Sequence, residues 1–331
     1  MNQQSLSSFI WSIADLLRGE FKQSDYGKVI LPFTVLRRLD CVLENTKEPV
    51  LAMFTKNDKT KSNPDILIRH KFGLSFYNKS PFDLKKLSGD PINIQHNLMA
   101  YIQAFSPEVI DIFERFQFYN IIDKLAKSNL LYLIVEKFAN IDLHPEFVSN
   151  NQMGLIFEEL IRKFAEISNE TAGEHFTPRE VIRLMVNLLF IEDDDVLSKP
   201  NIVRSIYDPA AGTGGMLTIA GEYLEKKNPD ARLTMFGQEL NDESYAICKA
   251  GMLIKDQNVE NIVAGNTLSQ DGHFNKKFDY MLSNPPFGVD WKKIEKEIRS
   301  EHERKGFSGR FGPGLPRVTD GSLLFFIAPD F

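Results

Sequence analysis

Hydrophobic positions in the first half of the chain recur every three or four residues, which is the spacing of an amphipathic helix. One such helix face is formed by Leu6, Phe9, Ile10, Ile13, Leu16 and Leu17. The same spacing predicts helices from Tyr26 to about Leu43, and over 94–105, 107–118 and 120–139. The polar stretch from Thr55 to Pro64 predicts a loop. Because no strand-like alternation occurs here, we expect residues 1–150 to form an α-helical domain.

The pattern changes after residue 150. A helix face that includes Met153, Leu160 and Phe164 comes first. Thr177 and Pro178 then predict a helix start, with Thr177 as N-cap and Pro178 at the first helical position, and this helix extends to about Phe190. The acidic stretch 192–199 predicts a loop.

Short apolar runs then alternate with helical patterns. The predicted strands are Ile202–Tyr207, Leu233–Gly237, Asn261–Ala264 and Phe278–Ser283, and helices are predicted between them at 214–227 and 241–255. Such alternation is typical of βαβ units in a mostly parallel sheet. We therefore expect an α + α/β protein, in which residues 151–331 form a Rossmann-like second domain.

Composition limits the possible classes of protein. The chain has 331 residues, of which 43% are hydrophobic and 25% are charged, and these values exclude a mainly disordered chain. The two cysteines, Cys41 and Cys248, are too few for a disulfide framework and lack metal-ligand spacing, so we predict no metal site. No apolar stretch approaches the ~20 residues of a membrane span. Together these features predict a cytoplasmic protein without a membrane partner.

Charge is distributed unevenly between the two halves. Residues 1–150 contain 18 basic and 17 acidic residues, whereas residues 151–331 contain 21 and 28, so the overall net charge of −6 arises in the second half. Proteins that bind nucleic acids usually present a basic surface. If this chain acts on DNA, we expect a partner to supply much of the binding energy.

The first predicted strand is followed by the glycine-rich segment Asp208 to Gly215, which includes Thr213 and Gly214. In open α/β sheets ligands bind at the carboxyl ends of the strands, and a glycine-rich turn before a helix lets the backbone approach a ligand closely. The segment is neither a Walker A loop nor a complete dinucleotide fingerprint. A plain tight turn is the alternative interpretation.

Two further strand ends carry polar residues. Glu239 follows the second strand and could accept hydrogen bonds from ribose hydroxyls, or simply cap the next helix. Asn266 follows the third strand and suits an adenine edge, although Asn is also a common turn residue. Neither residue is decisive alone.

The fourth strand leads into the most informative segment, Asn284, Pro285, Pro286 and Phe287. The prolines stiffen the backbone, so the Asn284 side chain and the Pro285 carbonyl can converge on one amine. Phe287 offers a flat face for a planar ring. A proline-stiffened turn with a core phenylalanine is the alternative, which the position at a strand end disfavours.

Taken together, these motifs resemble S-adenosylmethionine-dependent adenine DNA methyltransferases. Within that group the chain is similar to the modification subunit of type I restriction-modification systems. The resemblance rests on YGKVILPFTVLRRLDCVLE, GEHFTPREVIRLMVNLL, YDPAAGTGGML and FDYMLSNPPFG, in that order. It covers essentially the whole chain.

The resemblance implies a role for each matching residue. The residues that match cofactor-binding positions for S-adenosylmethionine are Glu174, His175, Phe176, Thr177, Pro178, Arg179, Asp208, Thr213, Gly214, Gly215, Glu239 and Asn266. The first six would hold the methionine end, and Glu239 would bind the ribose. The catalytic positions are matched by Asn284, Pro285, Pro286 and Phe287. They imply direct methyl transfer to the amine of a flipped-out adenine.

The resemblance also implies partners. These are double-stranded DNA, a specificity subunit, a second copy of the modification subunit and, in restriction systems, a restriction subunit. Asn266 departs from the aspartate that is common in the family, which could weaken cofactor binding. The chain ends soon after Phe287, where a family sheet continues with further strands, so we expect a truncated sheet.

Other interpretations remain open from the sequence alone. A truncated chain could be an inactive remnant that only binds a partner. Asn-Pro-Pro-aromatic segments also resemble those of protein-glutamine and RNA amine methyltransferases. A nicotinamide dehydrogenase would explain the glycine-rich loop but not Asn284 to Phe287. The locally basic segment 291–317, with eight Lys and Arg against four Asp and Glu, could bind DNA phosphates through Arg310 or form a mobile solvated loop.

Overall fold

The computed structural model describes residues 3–57, 64–168, 177–274 and 276–328. They belong to two compact units. The first unit lies within Met1–Glu170 and Leu253–Gln257, and the second lies within Thr171–Met252 and Asn258–Phe331.

The first unit is helical. Its helices are α1 (Gln3–Leu17), α2 (Tyr26–Leu43), α3 (Lys47–Asn57), α4 (Pro64–Phe72), α5 (Leu84–Ser88), α6 (Ile94–Gln103), α7 (Pro107–Arg115), α8 (Phe118–Lys127), α9 (Leu131–Ala139) and α10 (Asn150–Ser168). Across its described residues only isolated bridges occur, between Arg18 and Phe21 and between Asn78 and Phe105. The predicted α-helical domain is therefore confirmed, and α2 has the predicted bounds.

Helix α2 is the centre of this unit. Nearly all of its residues are buried, and α1, α8, α9 and α10 all pack against it. Gly27 permits the close approach of α10, because a Cβ atom there would lie 3.0 Å from the Cβ of Phe164. Helix α10 thus packs with the N-terminal helices, although the sequence assigned it to the second domain. The domain boundary at residue 150 stays a prediction.

One predicted helix is wrong. Residues 120–139 form parts of two helices, α8 and α9, because Asn129 adopts a left-handed conformation with φ of +58°. The amide of Leu130 donates to the carbonyl of Leu125 at 2.9 Å, as in a Schellman helix end. Apolar spacing continues through this break, so periodicity alone does not reveal it.

Two predicted loops also contain helical residues. Helix α3 continues to Asn57 and α4 begins at Pro64, within the stretch expected to be a loop, while 58–63 lies outside the described residues. In the acidic stretch 192–199, Asp194–Leu197 forms one helical turn. None of the described helices combines the length and apolar composition needed to cross a membrane.

Two consecutive arginines hold the segment after α9 to α2. Arg38 is fully buried, and its guanidinium donates to the carbonyls of Leu143 and Val148 and to the Asn150 side chain. Arg37 donates to the carbonyl of Ile141 at 2.7 Å and pairs with Asp40 at 2.8 Å. A helix side chain thus satisfies backbone acceptors of a buried irregular segment, which would otherwise be left unpaired.

The second unit is built on a four-stranded parallel sheet. Its strands are β1 (Val203–Asp208), β2 (Arg232–Glu239), β3 (Ile262–Ala264) and β4 (Tyr280–Met281), in the order β3-β2-β1-β4. Its helices are α11 (Arg179–Phe190), α12 (Asp194–Leu197), α13 (Gly215–Lys227), α14 (Asp242–Ile254), α15 (Glu295–Lys305) and α16 (Ser322–Ile327). All four predicted strands and the helices between them are confirmed within a few residues, as is the parallel α/β class.

The segment after β4 folds back onto the sheet. Trp291, Ile298 and Phe311 are buried against Tyr207 of β1 and Leu268. The Trp291 indole donates to the carbonyl of Arg317 at 2.9 Å, and its backbone amide donates to Val318. The stretch expected to be a mobile loop or a DNA-contacting loop packs on the sheet through these residues, and it is here called the β4 insertion (residues 289–321); DNA contact by its exposed residues stays a prediction.

We expect Arg38→Met to lower the free energy of unfolding by about 3 kcal/mol, because several buried acceptors lose their donor. Urea denaturation monitored by circular dichroism would measure the change. The matched control is Arg18→Met, since Arg18 is exposed and pairs with exposed Asp15. Met and Arg have similar helix propensity. Equal, small losses in both variants would contradict the structural role of Arg38.

Candidate active site

Parallel pairing brings the predicted site residues of three strands to one edge of the sheet. Asp208 ends β1 opposite Gly237 of β2, and Glu239 ends β2. Tyr207 lies opposite Met281 of β4, so Asn284 follows at the same edge. The carboxyl ends of parallel strands are where ligands bind in open α/β sheets.

Asp208 is the most deeply buried carboxyl group at this edge. Its side chain is 1% exposed, and Oδ1 accepts a hydrogen bond from the amide of Ala210 at 3.1 Å. Burial raises the pKa of Asp208 to about 7, and the nearby Glu239 carboxylate adds to the increase, whereas the Ala210 amide lowers it. The group therefore titrates near neutral pH.

The glycine-rich segment forms a tight turn into α13. Gly212 and Gly214 have φ of +53° and +84°, which glycine adopts without strain. A Cβ atom on Gly214 would lie 2.8 Å from the sulfur of Cys248, whereas one on Gly212 would meet nothing within 4 Å. The turn is thus closed against α14 at Gly214 and open at Gly212. Thr213 and Gly215 are half-buried beside it.

Glu239 links this turn to the end of β2. One carboxylate oxygen accepts from the amide of Gly212 at 2.7 Å, and the other accepts from the amide of Asn241 at 2.7 Å. The carboxylate does not cap α14, because the side-chain oxygen of Asn241 accepts from the amide of Ser244 at the start of that helix. Each oxygen retains a further lone pair for a ligand hydroxyl, so ribose binding stays a prediction.

Asn266 acts as a turn residue in the structure. Its side-chain oxygen accepts from the amides of Leu268 at 3.0 Å and Ser269 at 3.3 Å. The side chain was expected to suit an adenine edge, but two local donors already use its oxygen. The amide nitrogen is the part of the side chain that remains for a ligand.

Asn284 is exposed and contacts Thr177. Its side-chain nitrogen donates to the Thr177 hydroxyl at 3.1 Å, which leaves the amide oxygen to accept from a ligand. Pro285 is buried, while Pro286 is exposed and Phe287 is 75% exposed. Because Phe287 is at the surface, the alternative of a core phenylalanine is wrong.

The predicted start of α11 needs correction. The helix begins at Arg179, with Pro178 rather than Thr177 at the N-cap and no side-chain cap. The Thr177 hydroxyl contacts Asn284 instead. Arg179 forms an ion pair with Glu222 of α13, which joins the two helices. The predicted residues Glu174, His175 and Phe176 lie outside the described residues.

Arg310 does not point to solvent. Its guanidinium pairs with Glu301 at 2.7 Å and donates to the carbonyls of Thr267 and Leu268 at 2.9 and 3.0 Å. The side chains of Arg310 and Glu301 are only 12% and 14% exposed. The hypothesis that Arg310 contacts a DNA phosphate is therefore wrong, because its guanidinium is already bound within the protein.

Thr267 is a residue that the sequence analysis did not identify, whereas Arg310 was considered there only as a DNA contact. The Thr267 hydroxyl donates to the carbonyl of Pro209 at 2.6 Å. This bond joins the loop that follows β3 from Gly265 (the β3 loop) to the loop that follows β1 from Pro209 (the β1 loop). Neither Thr267 nor Arg310 belongs to a recognisable motif. Their contacts, 58 and 43 residues apart in the chain, arise only from the fold.

We expect the raised pKa of Asp208 to make stability pH-dependent. The folded-state pKa of about 7 exceeds the ordinary value of 3.8. The protonated carboxyl therefore stabilises the fold below about pH 4, and this contribution decreases as pH rises to 7, by at most about 4 kcal/mol. Asp208→Asn should be more stable than the unchanged chain at pH 8. Denaturant unfolding at pH 5 and pH 8 tests this, and an equal difference between the two proteins at both pH values would contradict it.

We expect Gly214→Ala to destabilise the fold more than Gly212→Ala. Both substitutions place alanine at positive φ, which costs roughly 1–2 kcal/mol, but only the methyl group at 214 also meets the Cys248 sulfur. Cys248→Ala should recover part of the extra loss, because the next nearest Cys248 atoms lie 3.5 Å away. Thermal unfolding of the single and double variants measures the coupling. Additive effects of Gly214→Ala and Cys248→Ala would contradict the contact.

Comparison with known proteins finds relatives over both parts of the chain. The sequence pattern of the HsdM N-terminal domain matches residues 6–138. The Type I restriction enzyme MjaIX methylase subunit of Methanocaldococcus jannaschii is 26% identical over 97% of this chain and 55% of its own length. The EcoEI methylase subunit of Escherichia coli is 28% identical over 70% of this chain and 44% of its own length. The chain thus spans about half the length of these curated relatives.

A solved structure shows the same fold. The type I restriction-modification system methyltransferase subunit from Streptococcus thermophilus aligns with a TM-score of 0.70 and 22% identity, over 99% of this chain and 71% of that one. The pattern of the N-6 DNA methylase family matches residues 148–313, which is half of the chain. The chain therefore belongs to the N-6 DNA methylase family.

Proposed function

We propose that this chain transfers a methyl group from S-adenosylmethionine to the exocyclic amine of adenine in double-stranded DNA, as the modification subunit of a type I restriction-modification system. The observation that carries the proposal is the placement of Asn284 and Phe287 at the sheet edge that also holds Asp208 and Glu239. An exposed amide oxygen and an exposed aromatic ring at that edge suit a planar amine.

The residues at this edge fit S-adenosylmethionine. The open space above Gly212 gives a ligand access to the backbone, and Glu239 provides carboxylate oxygens for ribose hydroxyls, while buried Asp208 binds the amide of Ala210 within the turn. Asn266 lies after the next strand, where its amide nitrogen can donate to a ring nitrogen of adenine. When bound, S-adenosylmethionine supplies an electrophilic methyl group.

The chain's own residues would bind and orient the target amine. The Asn284 side-chain oxygen and the Pro285 carbonyl would accept its two hydrogens, which would keep the nitrogen lone pair available for the methyl group, and the nitrogen would then release one of these hydrogens as a proton. Phe287 stacks on the base that has left the duplex. Positioning and hydrogen bonding account for the acceleration.

The proposed partners follow from the charge of this chain and from its similarity to methylase subunits of type I restriction enzymes. A net charge of −7 on residues 151–331 disfavours tight DNA binding by this region alone. We infer that a specificity subunit recognises the DNA target, and that a second copy of the modification subunit and a restriction subunit join the complex. A cytoplasmic location fits DNA as the substrate.

Calorimetric titration of S-adenosylmethionine into the 331-residue chain, with NAD as the control ligand, tests the cofactor assignment. We expect saturable binding of S-adenosylmethionine and none of NAD. Methyl transfer from labelled S-adenosylmethionine is then measured on duplex DNA, RNA and a glutamine-containing protein, with the specificity subunit present. Transfer to RNA or protein in place of DNA, or binding of NAD alone, would contradict the proposal, and cofactor binding without any transfer would favour an inactive remnant.

Asn284→Ala should abolish transfer and leave cofactor affinity unchanged. Thr177→Val should slow transfer by about three- to tenfold, because Asn284 loses one orienting hydrogen bond. Thr177→Ser keeps a hydroxyl and is the matched control, so its transfer rate should approach that of the unchanged chain. An unchanged rate in Thr177→Val would show that this hydrogen bond does not orient Asn284.

A further inference from the structure

We propose that Arg310, held by Glu301, is a positioning residue that orients the turn carrying Asn266 for the adenine of S-adenosylmethionine. The inference rests on the proposed function, since it concerns the same cofactor site. It also assigns a role to the β4 insertion, which contains none of the motif residues of the site.

The turn that Arg310 contacts is the one that determines where Asn266 points. The amide of Gln270 donates to the Asn266 carbonyl at 2.7 Å, and the Asn266 side-chain oxygen accepts from the amides of Leu268 and Ser269. The side chain is thereby held by its own turn. Any rotation of the Thr267 or Leu268 peptide would break these hydrogen bonds and turn Asn266 away.

Arg310, which belongs to the β4 insertion and not to that turn, donates to two of the turn's carbonyls. One guanidinium nitrogen donates to the Thr267 carbonyl at 2.9 Å, and another donates to the Leu268 carbonyl at 3.0 Å. The planar guanidinium offers two donors at a fixed spacing, which lysine cannot do. The two peptide planes are therefore held together by one side chain.

Glu301 of α15 fixes the guanidinium in turn. Its carboxylate oxygens accept from Arg310 Nη2 at 2.7 Å and from Nε at 3.2 Å. The hydrogen bond with Arg310 lowers the pKa of Glu301, although burial opposes it. The pair is mostly buried, and partly buried ion pairs with good geometry are little screened by salt.

The β4 insertion starts directly after the predicted catalytic segment. The amide of Gly321 donates to the Val289 carbonyl at 2.9 Å, which closes the insertion at its base. Phe311, next to Arg310, is fully buried with Leu268 in the same apolar cluster. The chain that leaves Phe287 therefore returns to the β3 loop, and Arg310 is its polar contact there.

The test replaces both members of the ion pair, so that neither charge is left buried without its partner. Arg310→Met with Glu301→Met removes the hydrogen bonds to Thr267 and Leu268 and keeps apolar volume, and such replacements of buried pairs usually preserve the fold. Arg310→Lys keeps the charge but loses the bidentate geometry. Arg299→Ala is the matched control, because Arg299 is exposed and pairs with Glu295 on the same helix.

Two measurements are made on the 331-residue chain. Calorimetry gives the Kd for S-adenosylmethionine and for 5′-methylthioadenosine, which keeps the adenosine and lacks the amino-acid end. Hydrogen exchange of the ligand-free proteins reports on the amides of Leu268, Ser269 and Gln270. We expect the double variant to bind both ligands about tenfold more weakly and to exchange these amides faster, with Arg310→Lys intermediate and Arg299→Ala unchanged.

Each other outcome overturns the inference. Unchanged Kd values in the double variant, even with a lower melting temperature, would show that the ion pair only stabilises the fold. Weaker binding of S-adenosylmethionine with unchanged binding of 5′-methylthioadenosine would place the effect at the amino-acid end. Failure of the unchanged chain to bind either ligand would reject the proposed function itself, and the positioning role with it.

Discussion

The candidate site depends on the parallel pairing of β1 with β2 on one side and with β4 on the other. This register places Asp208, Glu239 and the segment that begins at Asn284 at one edge of the sheet. In a parallel sheet all strands end on the same side, so residues far apart in the chain converge without any contact between their side chains. The loops only refine what the strand register has already brought together.

Hydrogen bonds between loops provide that refinement. Glu239 binds the amide of Gly212, Thr267 binds the carbonyl of Pro209, and Arg310 binds two carbonyls of the β3 loop. The bonds of Glu239 and Thr267 each join the backbone after one strand to a side chain after another, and those of Arg310 join the β4 insertion to the backbone after β3. A candidate site built in this way holds its polar groups in a connected loop structure, and such preorganisation reduces the reorganisation that ligand binding requires.

Much of the architecture could be predicted from apolar spacing. The strands and the helices between them were placed within a few residues because buried parallel strands and amphipathic helices have distinct periods. The predicted helix over 120–139 failed because a single left-handed residue, Asn129, ends α8 without interrupting the apolar pattern. The N-cap assigned to Thr177 failed because a hydroxyl can bind either the following amides or a distant side chain. Asn284 provides that distant partner.

The sequence by itself determined the fold class, the family and the identity of the motif residues, because these depend on local spacing and on residue types in a fixed order. Tertiary structure alone decided that Asn266 uses its oxygen within its own turn, that Arg310 faces inward and that Thr177 meets Asn284. These contacts depend on the fold because a hydrogen-bonding group pairs with whichever partner lies within reach and is shielded from water. Partners many residues apart become neighbours only after the chain has folded.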